Sequence, residues 1–118
     1  MIQNLNNRKA EMLLKQNYIG NLAFIENNRP FIAPITYFFN EKENIIIGYS
    51  AEGHKIDAIR KNKNVSMGVT LIQSINSWQS ILVHGTFKEV NGSEAKSYLH
   101  IFSLGVKGLI LKKEQKQL

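Results

Sequence analysis

The residues best suited to chemistry are Ser50, His54 and Lys55, which stand where an Ile-rich segment passes through Gly53 into a helical pattern. The first N–H groups of a helix have no partner within it, and the helix dipole adds partial positive charge there. A phosphate is a natural ligand for such a helix start. Lys55 has an unfavourable sign for a first helical turn unless an anion lies beside it. The pattern predicts one phosphate held by Ser50, His54, Lys55 and backbone amides, although a solvated lysine on a short helix fits it too.

A second candidate is His84, which lies in the middle of an apolar, strand-like segment. It could serve as a catalytic acid or base, and it fits equally well as a packed interface histidine. The chain contains no cysteine, which excludes disulfides, zinc–thiolate sites, iron–sulfur clusters and thiol nucleophiles. No metal site is predicted. Any redox chemistry must therefore come from a bound cofactor, with the protein providing position and electrostatics.

The formal net charge of +6 is concentrated in two short segments of the 118-residue chain. Residues 54–63 and residues 107–118 each contain four basic side chains and one acidic side chain. A polyanion-binding protein usually spreads basic residues over several elements, and the predicted strands contain few basic–aromatic pairs of the kind that stack on bases. The charge pattern therefore argues against a nucleic-acid partner.

The helices that would position these residues are predicted from apolar spacing and capping residues. A first helix is expected over residues 7–16 and a second over residues 54–62, which contains Lys55. Ser93 can cap a third helix that continues to Phe102. Gly105 and Gly108 are expected to end it, with residues 109–111 forming a short edge strand. Residues 107–118 are expected to be a frayed basic tail.

Five segments alternate or accumulate apolar residues as strands do. They are residues 21–25, 30–39, 44–50, 65–72 and 78–90. Short polar turns join the first three, so these should pair antiparallel. Pro34 cannot donate to a ladder, so its strand should be at an edge, bulged or open there. The strands are too few for a sandwich, which favours a small barrel with flanking helices.

The size and composition of the chain fit a single domain over residues 1–118. The first nine residues have no apolar run behind their basic pair, unlike a secretory signal. The longest apolar runs are far below the roughly 20 residues that span a bilayer. These features predict a cytoplasmic protein without a membrane partner.

The segment from Tyr49 to Val65, YSAEGHKIDAIRKNKNV, resembles the central signature of the pyridoxamine 5′-phosphate oxidase-like, FMN-binding split-barrel family. Within that family it is most similar to the branch that includes nitroimidazole-resistance proteins. Two further blocks, residues 20–37 and 78–90, agree with the family in order and spacing. Three ordered blocks are more specific than any one of them, and together they cover roughly residues 8–104.

The resemblance implies a mainly β fold, an antiparallel Greek-key split β-barrel with flanking helices, which forms a homodimer with FMN at the subunit interface. The residues that it places against FMN are Pro34, Ile35, Thr36, Tyr49, Ser50, Ala51, His54, Lys55, Trp78, Gln79 and Ser80. Residues 34–36 would lie along the isoalloxazine ring, and Ser50, His54 and Lys55 would hold the phosphate. Residues 78–80 would come from the second subunit.

Tyr49 and Ala51 would flank the ribityl chain. From residue type alone, Trp78 fits a core or interface anchor equally well. Dedicated pyridoxamine 5′-phosphate oxidases hold their substrate with Arg and His residues of a C-terminal segment. The last dozen residues of this sequence contain neither type, so oxidation of vitamin B6 is not expected.

Three functions follow, in decreasing order of support. The first is an FMN-dependent oxidoreductase, a reductase of a small molecule that takes electrons from NAD(P)H or another reductant. The second is a flavin-binding carrier or sensor without turnover, which would use the same phosphate residues. The third is a small basic barrel that binds nucleic acid.

Overall fold

Helices and antiparallel strands alternate along the part of the chain that the structure describes. The structure is a computed structural model that describes the backbone of residues 7–49 and 54–117 and the side chains of residues 8–49 and 55–113. The elements in chain order are α1 (Asn7–Gln16), β1 (Ile19–Glu26), β2 (Arg29–Asn40), β3 (Ile45–Tyr49), α2 (His54–Lys61), β4 (Asn64–Ser74), β5 (Ser77–Thr86) and α3 (Gly92–Gln117). None of the helices in these ranges combines the length and apolarity needed to cross a membrane.

The five strands form one sheet in the order β3-β2-β1-β4-β5. Every neighbouring pair is antiparallel, as predicted for the first three strands. After α2 the chain returns to lay β4 beside β1, which is the Greek-key arrangement. The β1–β2 turn uses Asn27 and Asn28, whose φ angles of 49° and 61° are the positive values that a tight hairpin turn requires.

Alternation along the strands gives the sheet two faces. The face that we call inner packs its buried side chains against the first two helices. Its members are Phe24, Tyr37, Phe39, Met67 and Val69. Leu13 and Leu14 of α1 cover four of them, while Ala58 and Ile59 of α2 pack on Phe24. The sheet and its two short helices therefore enclose the core on one side.

Tyr37 ties the sheet to α1 through a polar contact inside this core. The side chain is completely buried, and its hydroxyl donates a hydrogen bond to the Leu14 carbonyl at 3.0 Å. Burial raises the pKa of Tyr37, so the phenol stays protonated and keeps donating. Asn17 closes the end of the same helix by donating to the Leu13 carbonyl at 2.8 Å.

The opposite face, which we call outer, exposes large apolar side chains. The most exposed of them on the strands are Ile19, Ile32, Tyr49, Ile72, Trp78 and Leu82. Phe38 also points to this face and is half-buried, because α3 crosses the sheet there. Helix α3 thus covers the outer face around Phe38, while Ile32, Thr36 and Tyr49 and most of the outer side chains of β4 and β5 stay exposed.

The third helix corrects the prediction for the end of the chain. It runs without interruption from Gly92 to Gln117, so the predicted breaks and the edge strand over residues 109–111 are wrong. A Cβ on Gly105 would clash with the Phe38 ring. This glycine therefore serves close packing of α3 against β2, a role that sequence alone does not distinguish from helix termination.

The fifth strand is also shorter than predicted, since it ends at Thr86 and not at Val90. Thr86 pairs with Asn64, the first residue of β4, so the ladder has no neighbouring strand beyond it. The segment that follows turns to α2 instead, where Glu89 accepts hydrogen bonds of 2.7 and 2.9 Å from Arg60. Arg60 is therefore exposed but paired.

Candidate functional site

The described pairing of the second strand with β3 ends two residues away from Pro34. The β2–β3 ladder runs from Asn40 only as far as Thr36, opposite Tyr49. The Tyr37 N–H points to the other neighbour, because it donates to the Tyr18 carbonyl at 2.8 Å. Since backbone groups alternate in direction along a strand, the Pro34 nitrogen points towards the same side as β3, at a level beyond Tyr49. Ser50 and Ala51, which would continue the ladder opposite Ile35 and Pro34, lie outside the described residues, so the predicted opening stays a prediction.

Thr36 and Tyr49 stand directly opposite each other at the end of that ladder. Both are exposed on the outer face. The Tyr49 ring has the Phe102 ring of α3 behind it, with 6.3 Å between the ring centres. A hydroxyl and an aromatic face therefore lie together, which suits a flat ligand that carries hydrogen-bonding groups.

The side chain of Ile35 points away from Thr36 and Tyr49, although the resemblance placed residues 34–36 together along the ring. Its half-buried side chain packs on the inner core, where a Cβ on Gly48 would lie 2.8 Å from Ile35 Cδ1. Its backbone pairs with Gly20 of β1. Consecutive strand residues point to opposite faces, so one ligand cannot meet the side chains of Ile35 and Thr36 together.

The predicted phosphate turn is described only in part. Ser50 and Ala51 lie outside the described residues, as does the side chain of His54. Lys55 is half-buried in the first turn of α2. Five residue steps separate Tyr49 from His54, so the helix starts within about 18 Å of Tyr49. The phosphate site therefore stays a prediction, for which Lys55 is the described member.

Residues 78–80 lie on β5, far from Thr36 within one chain. Trp78 is opposite Ile72 and Ser80 is opposite Thr70; both point to the outer face, whereas Gln79 alternates to the inner side. Three strand spacings separate β5 from β2, which is about 14 Å across the sheet. A single chain thus does not bring this block to Thr36 and Tyr49.

His84 also lies on the outer face of β5, opposite Ser66 of β4. The two side chains meet, with Ser66 Oγ 2.6 Å from His84 Nδ1. They border a cleft of about 410 Å³. Sequence reasoning identified His84 and missed Ser66, since the β4–β5 register that pairs them is not encoded in local spacing. His84 is not beside Thr36 or Tyr49 in the same chain.

The sequence also did not identify Phe102 as part of the site. Tyr98 and Phe102 are four residues apart, so they lie on the same side of a helix. The Tyr98 hydroxyl donates to Glu43 Oε2 at 2.8 Å, and this carboxylate raises the pKa of Tyr98. The contact fastens the start of α3 beside β3, which holds Phe102 against Tyr49. Within the described ranges, no group of three or more His, Asp or Glu side chains is placed to hold a metal ion.

Known proteins resemble this chain in sequence and in fold. Residues 6–109 match the family described as pyridoxamine 5′-phosphate oxidase. An uncharacterized protein of Rhizobium meliloti is 31% identical over 88 residues, which are 73% of this chain and 57% of the relative. The chain therefore spans a little over half the length of that relative.

Solved structures show the same fold. An FAD-binding protein from Mesorhizobium loti superposes with a TM-score of 0.70 at 25% identity, covering 77% of this chain and 66% of that one. An FAD-binding protein from Mycobacterium smegmatis gives a TM-score of 0.65 at 22% identity over 77% and 82% of the two chains. The predicted fold class, an antiparallel Greek-key sheet of the split-barrel type with flanking helices, is confirmed.

Proposed function

The chain belongs to the pyridoxamine 5′-phosphate oxidase family, and from this we propose that it binds FMN and acts as a flavin-dependent oxidoreductase on a small molecule. The observation that carries the proposal is the family match over residues 6–109. It is supported by the likeness, at 25% identity, to a Mesorhizobium loti protein that binds FAD. A flavin is also consistent with the lack of cysteine, because the redox chemistry then belongs to the cofactor.

The residues around Thr36 fit a flavin ring. The Thr36 hydroxyl and the Tyr49 ring lie together on the outer face, and the predicted opening at Pro34 would direct a backbone carbonyl to a ligand beside them. When bound, the flavin would supply hydride or electron transfer. The chain itself would bind and orient the ring through these groups and exclude water from it with the aromatic pair of Tyr49 and Phe102.

The cofactor that we favour is FMN, because the predicted phosphate turn offers one helix start and one lysine. A single terminal phosphate meets Lys55 and the first N–H groups of α2 there. FAD is the alternative that the experiment must separate, since the Mesorhizobium loti protein is an FAD-binding protein. The absence of cysteine also supports the cytoplasm as the place of action.

We further propose that a second copy of the chain covers the part of the outer face that carries Ile72, Trp78 and Leu82. Large exposed apolar patches mark interaction surfaces, and here Ile72 and Leu82 are 71% and 64% exposed. A second copy is the occupant that also completes the site, because a twofold pair can lay residues 78–80 of one subunit against Thr36 and Tyr49 of the other. The homodimer thus explains both the exposure and the distance of Trp78 from Thr36.

The experiment is to purify the protein and to identify its chromophore by chromatography and mass after release with acid. The proposal predicts yellow protein that releases FMN and whose flavin absorption bleaches under NADH or NADPH. Released FAD would overturn the choice of FMN but not the choice of a flavin. Yellow protein that neither nucleotide bleaches would favour a flavin carrier or sensor. Colourless protein that takes up neither FMN nor FAD would contradict the proposal.

A further inference from the structure

The cleft beside Ser66 and His84 lies on the outer face, at the end of the sheet that is remote from Thr36. It has a volume of about 410 Å³, and the side chains that line it on this face are apolar Ala23, Ile25 and Pro30 and polar Asn64, Ser66 and His84. We propose that this cleft is a binding site for a small aromatic molecule that carries an oxygen acceptor, with an aromatic carboxylate as the best-matched class. The flavin proposal does not enter this inference.

The hydrogen-bonding pair at the cleft always leaves a donor for a ligand. Ser66 and neutral His84 together have two polar hydrogens, and their 2.6 Å contact uses one of them. If Ser66 donates to Nδ1, the Nε2–H of His84 remains; if His84 donates, the Ser66 O–H remains. Protonation of the imidazole would add one more donor. Neither side chain makes another hydrogen bond in the part of the chain described.

The walls of the cleft favour an apolar ring over a sugar or a peptide. Ala23 lies between Ile32 and Ser66 across the strands, and its small side chain leaves room above the sheet. Ile25 and Pro30 close the side towards the β1–β2 turn. Pockets of this kind, apolar with a few placed polar groups, are typical of small-molecule sites.

The charge around the cleft admits an anion. No Asp or Glu contributes to its described lining, so a carboxylate would meet no like charge there. The chain as a whole has a formal charge of +6, which favours approach of an anionic ligand. An aromatic carboxylate therefore matches the donor, the apolar walls and the charge together.

The cleft is separate from the candidate flavin site. Ala23 pairs with Ile32, which is four residues or about 13 Å along β2 from Thr36. His84 is six residues or about 20 Å along β5 from Trp78. Within one chain, a ligand at His84 thus touches none of the described residues assigned to the flavin. The cleft also lies outside the part of the outer face assigned to the second copy, so failure of either proposal leaves the other standing.

The test is a titration of the purified protein with benzoate, followed by NMR of the histidine rings and backbone amides. We expect saturable binding with a dissociation constant of about 1 mM, typical of so small a ligand. The shifts should centre on Ser66 and His84. Toluene, which lacks the carboxylate, should bind at least about fivefold more weakly, since one charge-assisted hydrogen bond is lost.

Three variants sharpen the result. His84→Ala should weaken benzoate binding about tenfold, while His100→Ala, which removes an exposed histidine of α3, should leave it unchanged. Ala23→Leu keeps both polar side chains and should abolish binding by filling the cleft. Benzoate shifts centred elsewhere, or equal affinity in wild type, His84→Ala and Ala23→Leu, would overturn the proposal. Amide spectra of each variant show whether the fold is intact, and Ser66→Ala replaces any variant that unfolds.

Discussion

Both faces of the sheet carry large apolar side chains, but only the inner face buries them completely. Tyr37 and Val69 of the inner face are 0% and 1% exposed, under helices α1 and α2. On the outer face, Ile72 and Leu82 of the same sheet remain largely exposed. The polar groups differ as well: the Tyr37 hydroxyl is satisfied inside the chain, whereas Thr36 and the Ser66–His84 pair face outwards.

This difference separates the work of the two faces. The inner face contributes the stability of the single chain, because burial of apolar area is the main favourable term in folding. The outer face adds little to that stability and offers groups to a cofactor, a second copy or a small molecule. Substitutions on the two faces should therefore change different measurable quantities.

The largest expected effect is on the free energy of unfolding, in the core between the inner face and α2. Ile59→Ala removes a side chain that is 1% exposed and should lower the free energy of unfolding by about 3 kcal/mol through lost burial and a residual cavity. Ile75→Ala is the matched control, because Ile75 is 93% exposed in the β4–β5 turn. It should change stability by less than about 0.5 kcal/mol. Equal losses in urea unfolding would show that burial does not divide the molecule as described.

The next effect is on self-association through the outer face. Leu82→Glu places a charge in the proposed interface, twice in each dimer because of the symmetry. The dimer dissociation constant should rise at least about 100-fold, or about 2.7 kcal/mol, in sedimentation equilibrium. Ile75→Glu adds the same charge at the turn and serves as the control. A Leu82→Glu protein that dimerises like wild type would exclude this face as the interface.

A smaller effect is expected at the phosphate turn. Lys55→Ala should raise the dissociation constant of FMN about thirtyfold, which is about 2 kcal/mol for one charge-assisted contact. Lys61→Ala, on the last turn of the same helix, should leave it within about twofold. Fluorescence titration of the apoprotein measures both constants. Unchanged affinity in Lys55→Ala would remove Lys55 from the site.

The smallest effect concerns the ion pair between Arg60 of α2 and Glu89, which belongs to neither face of the sheet. The Arg60 guanidinium lowers the pKa of the Glu89 carboxyl by hydrogen bonding. A carboxyl with a lowered folded-state pKa stabilises the protein above its unfolded pKa of about 4.3, and this contribution is lost as pH falls through the folded value. Glu89→Gln should therefore lower the melting temperature slightly at pH 7, with a difference that fades below pH 4. A difference that persists in acid would contradict this origin.

Much of the fold was predictable because local signals agreed with the tertiary structure. Asn27 and Asn28 mark the hairpin through their tolerance of positive φ. The end of the chain was mispredicted since Gly105 has two possible roles, and the choice depends on Phe38, 67 residues away in sequence.

The candidate site was less predictable for the same reason. Period-two alternation along β2 already implied that Ile35 and Thr36 face opposite sides, but the resemblance grouped them as one stretch. The pairing of Ser66 with His84 depends on strand register, which no local pattern specifies. The relation of Trp78 to Thr36 requires a second copy, so it lies beyond the sequence of one chain.

The most direct test of the flavin site at the dimer interface is a mixed dimer of Lys55→Ala and Trp78→Ala subunits, isolated through two different affinity tags. Each homodimer has two altered sites and should bind FMN weakly. In the mixed dimer, one site combines both substitutions and the other has neither, so one FMN per dimer should bind with wild-type affinity. If the site lies within one subunit, both sites of the mixed dimer are altered. Weak binding at both sites would then contradict the account.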